Sequence, residues 1–508
     1  MTTPSLVQSP PWPPCPAPFN LAAHALGAAE RLPDRIALVI AAPHAAERWS
    51  FGRLAAAVRG TGAAFRRLGL SPGDRVLIRL GNTVDFPIVF LGAIAAGLVP
   101  VPTSAQLTAP EVGRIAAEMR PALIAAAPGI ALPPAPACPV LGPEALAAAR
   151  DHAPCAWDLG DPDRLAYLVY TSGTSGRPRA AAHAHRALWA RGMMHRGWYG
   201  LTADDRLMHA GAFNWTYTLG TGLLDPWTLG ATAVIPAAGV TPDQLGLLMK
   251  RHDATIFAAA PGVYRQMLRA PLPTLPRLRH GLSAGEKLPE ALRAAWTAAT
   301  GTAVHEALGM TECSTFVSGS PDRPAPPGAT GYAQDGRCIA VMDAAGAPVP
   351  RGAPGTLAVH RGDPGLFLGY DGQPEETAGR FAGDWFLTGD TVSMAEDGAI
   401  TYLGRDDDMM NAGGYRVSPL EVERAMASFP GLGEVAAAEV AVRPGVTVIA
   451  LFHEGPAQDP EALAAHAAAQ LARYKQPRLF VAVPALPRGA NGKIARKPLR
   501  AWRPEGTA

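Results

Sequence analysis

Residues 164–185 read RLAYLVYTSGTSGRPRAAAHAH, and the rest of the chain is best read outward from them. Leu165 to Tyr170 is a short apolar run with aromatic members, the pattern of a buried strand. It leads into Thr171, Ser172, Gly173, Thr174, Ser175 and Gly176, where glycines permit positive φ and hydroxyls and backbone N–H groups can converge on an anion. Arg177 and Arg179 add positive charge. Such a loop suits a polyphosphate, and because no Lys-Ser/Thr pair closes it, a P-loop NTPase is disfavoured. Standing alone, the segment reads equally well as a polar surface loop. From about Ala181 to Met194 a helix is expected.

A chain of 508 residues exceeds what one core usually supports, so two or more domains are expected. Its 48% hydrophobic and 17% charged content is that of a globular protein. A formal net charge of +2 leaves no footprint for nucleic acid. Cys15, Cys138, Cys155, Cys313 and Cys338 are odd in number and scattered, with no CxxC pair, which points to a reduced, cytoplasmic setting without structural zinc. Cys313 beside Glu312 reads as a small buried hydrophobe. The proline-rich start, MTTPSLVQSPPWPPCPAPFN, has no charged region before an apolar core and reads as an irregular arm. The most apolar run, Phe86 to Val101, is broken by Pro87, Gly92, Gly97 and Pro100. It reads as a buried helix leading into a strand, and no integral membrane association is expected.

The fold class expected is α/β. Trp49 to Leu70 places Leu54, Val58, Phe65 and Leu68 on one helical face before the breakers Ser71, Pro72 and Gly73, and Asp74 to Leu80 reads as a strand. Such alternation implies a parallel sheet with covering helices. Pro121 to Pro139 reads as short strands joined by rigid loops. Beyond a strand near Arg206 to Ala210, the aromatic stretch Phe213 to Trp227 packs a core or walls a pocket, with Gly220 and Gly222 allowing close backbone approach to a ligand. Thr255 to Pro261 and Leu278 to Glu286 read as strands whose ends could meet at a ligand. Segments near Gly355 to His360 and Asp384 to Gly389 imply a β-rich closing part, and the acidic stretch Gly404 to Asp408 marks a boundary. Beyond it, Ser418, Pro419 and Glu421 read as N-cap, first-turn proline and capping-box glutamate of a helix with Val422, Met426 and Phe429 inward. A hairpin near Ala436 to Phe452 follows, then a helix from Asp459 and Pro460 with Leu463, Ala467 and Leu471 inward. Asn491-Gly492 would lift Lys493 to a loop tip.

Taken together, the segments from about Trp49 to Arg496 resemble the AMP-forming acyl-CoA synthetase (adenylate-forming ligase) superfamily, with five motifs in the family's order. The resemblance implies a large N-terminal domain (1–404) of layered α/β subdomains plus a β-rich closing segment, a hinge (405–408), and a small mobile α+β C-terminal domain (409–508). It matches Thr171 to Arg179 to the family's phosphate loop, with Thr171, Ser172 and Thr174 as contacts, although Arg179-Ala180 replaces the usual Lys-Gly. Leu308-Gly309-Met310-Thr311-Glu312 matches a motif in which Thr311 meets the α-phosphate and Glu312 holds Mg²⁺; Leu308 stands where a tyrosine is common. Asp390 is matched to the residue that grips the ribose. Ser283 to Lys287, including Ala284, Gly285, Glu286 and Lys287, resembles the segment on which adenine lies, and Glu306 takes the place of a partner for its amine. Arg405 is matched to ribose or phosphate, Asp407 to the pivot, Arg416 to phosphate, and Lys493 to the catalytic lysine.

The implied chemistry joins a small-molecule carboxylic acid, ATP and CoA. The acid attacks the α-phosphorus to give an acyl-adenylate, and a thiol then displaces AMP. Gly413, Gly414 and Tyr415 are expected to meet the pantetheine arm after the small domain swings. Acetate-specific relatives carry a tryptophan at the position of Gly309. That glycine, with Phe213, Trp215 and Ala284, therefore implies a deeper pocket for a medium-chain or aryl acid, in the manner of benzoate-CoA ligases and medium-chain acyl-CoA synthetases. Left open are a carrier-protein acceptor in place of CoA, a catalytically weakened binding protein, and a monomer or homodimer.

Overall fold

The computed structural model describes residues 3–172, 178–405, 409–443, 445–488 and 494–503. The short apolar runs form strands lying side by side. Ile36–Ala41, Thr232–Pro236, Arg206–His209, Ile256–Ala259, His280–Ala284 and Val304–Met310 are parallel in that spatial order. Antiparallel strands flank them, Ala46–Ser50 at one edge and Ser314–Ser318 then Tyr332–Ala333 at the other. A second parallel sheet runs Val99–Pro102, Arg75–Arg79, Leu123–Ala126, Val140–Leu141.

The helix Phe51–Arg67 starts at Ser50, whose hydroxyl accepts from the Arg53 amide at 3.3 Å. It packs with the helix Asp85–Ala95 in one cluster that also takes in Leu38 and Ile40 of the first sheet and Val76 and Ile78 of the second. The two helices touch backbone to backbone: a Cβ on Gly62 would stand 2.8 Å from the Gly92 carbonyl oxygen. Leu54, Val58 and Phe65 face inward as expected, but Leu68 is exposed because the helix has already ended at Arg67.

Pro178–Ala184 is a strand, not the start of a helix. It pairs antiparallel with Leu165–Ser172, Thr171 opposite Arg179, and Gly369–Tyr370 joins its other side. Ala180 and Ala182 pack toward Leu77, Val101 and Ile124, while Ala181 packs toward Phe316, Phe367 and Tyr370. Packing on both faces overrides the helix preference of alanine, since only small side chains fit between the two layers. Helix appears after it, at Arg186–Ala190 and Gly192–Met194, and widens into a π turn at His195–Tyr199.

A six-stranded sheet holds Cys338–Met342, Pro354–His360, Trp385–Met394 and Ile400–Arg405 in antiparallel order. The N-terminal arm is not wholly irregular, because Leu6–Gln8 adds an edge strand to this sheet. Beyond residue 408 the chain builds the hairpin Met410–Ala412 and Tyr415–Val417 and a sheet of Val435–Arg443, Val446–Glu454 and Leu479–Val483. Helices Pro419–Met426 and Pro460–Gln470 cover it. Ser418 precedes the first of these, but no capping box forms, because Glu421 is drawn to Lys475 Nζ at 2.6 Å. Among the described residues no helix is long and apolar enough to cross a membrane.

Candidate active site

Several segments that are far apart in sequence open onto one cavity. The end of His280–Ala284 and the turn after it contribute Ala284, Gly285, Glu286 and Lys287; Val304–Met310 contributes Glu306 and Gly309, and the residues just after it Thr311 and Glu312. Thr171 and Arg179 face it from the hairpin mouth, Asp390 from the six-stranded sheet, and Gly414, Tyr415 and Arg416 from the C-terminal hairpin. Gly173, Thr174, Ser175, Gly176, Asp407 and Lys493 lie outside the described residues. Of Ser172 and Arg405 the backbone is described: Ser172 ends its strand, and Arg405 pairs with Asp390.

Arg179 is buried and ion-pairs with Glu376 at 2.5 Å, its guanidinium 5.2 Å from the centre of the Tyr370 ring. The Tyr370 hydroxyl donates to Glu312 Oε1 at 2.7 Å, so one tyrosine orients both the cation and the carboxylate. Burial and then Glu312 raise the pKa of that phenol, which keeps it a donor. Glu306 accepts from the Leu288 amide at 2.9 Å and from Arg293 at 3.2 Å, and burial pushes its pKa up to about 7. Asp390 is fully buried and accepts from Arg416 Nη2 at 3.3 Å. Lys287 Nζ donates to the Tyr402 carbonyl at 3.3 Å.

The C-terminal segment turns its Met410–Val417 hairpin to the cavity. The Gly414 amide donates to Glu286 Oε1 at 2.6 Å, and Tyr415 stacks between Trp215 at 5.7 Å and Tyr474 at 4.3 Å. Gly413 sits exposed at the tip, off the cavity wall. The chain on either side of Lys493 is not on that wall: Arg488 bridges to Ile494, and Ile494 packs with Phe452 and Trp502. A buried ion cluster completes the docking, Lys475 Nζ lying 2.9 Å from Glu111 and 2.6 Å from Glu421. Burial opposes the Lys475 charge, but Tyr474, Glu421 and Glu111 outweigh it and raise its pKa.

Three expectations for the acid end of the cavity are corrected. Phe213 points into the core, stacked on Phe86 at 5.2 Å, and its neighbours Asn214, Trp215, Thr216 and Tyr217 form the wall instead. Gly309 contributes backbone but no depth: a Cβ there would stand 2.3 Å from the Ser314 carbonyl oxygen, where the strand bulges. Gly220 and Gly222 make room for Arg191 and His209, not for a ligand. Tyr370, Arg380, Tyr402, Tyr474 and Lys475 also line the cavity, and no sequence motif marks them. They come from four separate places in the sequence, Tyr474 and Lys475 as neighbours, and only a folded chain brings them together.

The AMP-binding enzyme family model matches residues 27–371. The chain belongs to the AMP-binding enzyme family. Within that family its relatives are ligases. It is 30% identical over 483 residues to the 3-hydroxybenzoate–CoA ligase of Aromatoleum sp. (strain CIB), covering 89% of this chain and 91% of the relative. It is 31% identical over 487 residues to the benzoate–CoA ligase of Thauera aromatica, covering 89% and 90%. It is also 31% identical over 479 residues to a mitochondrial acyl-coenzyme A synthetase of Homo sapiens, covering 87% and 82%. The crystal structure of a benzoate CoA ligase from Burkholderia xenovorans LB400 superposes with a TM-score of 0.71 at 28% identity, covering 95% of this chain and all of that one. The protein is accordingly an AMP-forming acid–CoA ligase of this family, using ATP and CoA.

Proposed function

We propose that this enzyme activates an aryl or medium-chain carboxylic acid as its acyl-adenylate and passes the acyl group to the thiol of CoA. One observation carries the reading. Residues from the phosphate hairpin (Thr171, Arg179), the Thr311-Glu312 pair, Asp390 and the C-terminal hairpin (Gly414, Tyr415, Arg416) share one cavity with an aromatic wall at Trp215 and Tyr217. Nucleotide, acid and thiol could therefore meet there.

A carboxylate is a poor acyl donor because its leaving group is oxide. Attack of one carboxylate oxygen on the α-phosphorus expels pyrophosphate, and two anions must approach for it. Arg179, Thr171 and Thr311 would hold the phosphates, Asp390 the ribose hydroxyls, and Glu306, through its remaining lone pairs, the adenine amine. Glu312 fits Mg²⁺ arriving with the nucleotide. It is a carboxylate on the wall, fixed by Tyr370, and a single carboxylate plus phosphate oxygens and water is a common donor set for that ion. Bound there, the ion would neutralise phosphate charge.

Lys493 would bridge carboxylate and α-phosphate in this first step. With the Met410–Val417 hairpin turned to the cavity, the described arrangement suits the second step, in which the thiol attacks the acyl carbonyl and AMP leaves. We infer that residues 405–408 form the hinge between a body of residues 1–404 and a small mobile one of 409–508, which swings to exchange the two faces. The unbridged cysteines support a reduced setting, for which the cytoplasm is proposed.

The test is pyrophosphate release from MgATP across acids from acetate through octanoate to benzoate, with and without CoA. Release with aryl or medium-chain acids, and thioester only when CoA is added, is expected. Preference for acetate would overturn the acid assignment, and no release with any acid would overturn the ligase reading.

A further inference from the structure

Arg191 brings a guanidinium to the wall of the cavity, beside Thr221, Ser314 and Thr315. The side chain is buried, and Gly220 makes room for it: a Cβ there would stand 2.1 Å from Arg191 Nη2. Nε donates to Asp225 Oδ1 at 2.8 Å and Oδ2 at 3.1 Å, and Nη2 donates to Asp225 Oδ2 at 2.6 Å. The second Nη2 proton is shared by the Tyr199 hydroxyl at 3.1 Å and Thr221 Oγ1 at 3.4 Å. Nη1 donates to Ser314 Oγ. A guanidinium carries five N–H groups, so one Nη1 proton is left without an acceptor among the described residues. Ser314 Oγ is the acceptor for Arg191, and its own proton finds only Met194 Sδ at 3.9 Å.

Two donors on the cavity wall thus lack a good partner. The charge is balanced, since Arg191 is matched by Asp225, which is itself fully buried. A second carboxylate brought here would be an uncompensated buried charge. A neutral oxygen would accept from both donors without that cost.

Building on the ligase reading above, we propose that Arg191 and Ser314 read a neutral oxygen substituent on the acid. The preferred substrate is then a small aryl acid carrying a hydroxyl or carbonyl oxygen, over the unsubstituted acid and over a dicarboxylate. The unsubstituted acid would leave both donors unpaired in a buried site, a loss on the order of 10- to 100-fold in kcat/KM. Arg191, Asp225, Tyr199 and Thr221 act together as the support that fixes the donor geometry.

The experiment compares kcat/KM for pyrophosphate release, at saturating MgATP and CoA, for benzoate, its three monohydroxy isomers, benzene-1,3-dicarboxylate and octanoate. At least one hydroxybenzoate should exceed benzoate by on the order of 10- to 100-fold, with the dicarboxylate poorest. The same ratio is then read in S314A and in the paired variant R191M/D225L, which removes both charges so that neither is stranded. In each the ratio of hydroxybenzoate to benzoate should fall toward one, chiefly through a raised KM for the hydroxylated acid. S314A leaves the ion pair intact, so it reads the ratio even if the paired variant does not fold. Benzoate matching every hydroxybenzoate in the parent enzyme, or an unchanged ratio in S314A, overturns the proposal. Turnover of octanoate with no aryl acid also overturns it but leaves the ligase reading standing. No pyrophosphate with any acid removes both.

Discussion

The Gly414 amide and the Glu286 carboxylate meet at 2.6 Å, and through this bond the C-terminal hairpin is fastened to the turn that follows a central strand of the main sheet. Burial raises the Glu286 pKa, and the Gly414 bond works the other way by favouring the charged form. The docking of the two parts joins such polar contacts to the stack of Tyr415 on Trp215 and the packing of Ala472 against the Leu77 and Val101 cluster, and the polar ones can be removed singly.

Lys475→Met should loosen that docking most. It leaves Glu111 and Glu421 facing each other, buried and without their cation, a loss of roughly 3–5 kcal/mol where such a pair is broken. Hydrogen exchange should quicken across residues 460–476 while the parallel strands stay protected. Equal protection in the variant and its parent would show that the cluster does not hold the segment in place.

Glu306 gives the stability a pH dependence. Burial lifts its carboxyl from the ordinary 4.5 to about 7 in the folded state, so the folded state holds this proton more tightly. The stabilisation is fully present below pH 4.5 and is lost as pH rises through 7, and it amounts to about 3 kcal/mol at most. Glu306→Gln cannot titrate, so the gap in denaturation midpoint between variant and parent should move in the variant's favour across that window. A gap that is constant with pH would remove Glu306 as its source.

Gly309→Ala tests the correction to the pocket. The added Cβ meets the Ser314 carbonyl oxygen and Thr315 Cα, both backbone, and overpacking of this kind costs about 1–3 kcal/mol. A fall in Tm with weaker activity toward every acid is expected. If the variant were as stable as its parent and merely shifted toward shorter acids, glycine at this position would control depth after all.

Lys493→Ala should slow pyrophosphate release by on the order of 10²–10³, the usual effect of losing one charge-stabilising group. Thioester formation from supplied acyl-adenylate should be far less affected, because the chain flanking Lys493 is off the cavity wall when the C-terminal hairpin faces it. Acetylation of Lys493 removes the same charge and should reproduce the effect. Equal slowing of both steps would argue against separate faces for the two.

Much of this architecture can be read in advance, because motif residues sit at strand ends and the strands announce themselves as apolar runs. Ala284, Thr311 and Glu312 fall on one cavity for that reason, and Glu306 and Asp390 reach it from within their strands. Pro178–Ala184 is not legible as a strand, since alanine favours helix and only packing on two faces decides otherwise. Phe213 and Gly309 are not legible in this way, because an aromatic residue or a glycine next to a pocket motif says nothing about which way it faces. Arg191 and Asp225, 34 positions apart, form no motif at all; they meet only in the folded chain, where Gly220 leaves room for the guanidinium.

Trp215 has an optical consequence. Of the ten tryptophans, it alone among the described residues lines the cavity, and it stacks on Tyr415 of the C-terminal hairpin. Its emission is therefore placed to follow the arrival of ligand and, on the proposed hinge, any departure of that hairpin. The difference between the spectra of the parent enzyme and a Trp215→Phe variant would isolate that signal from the other nine, giving a label-free stopped-flow clock for the exchange between the two half-reactions.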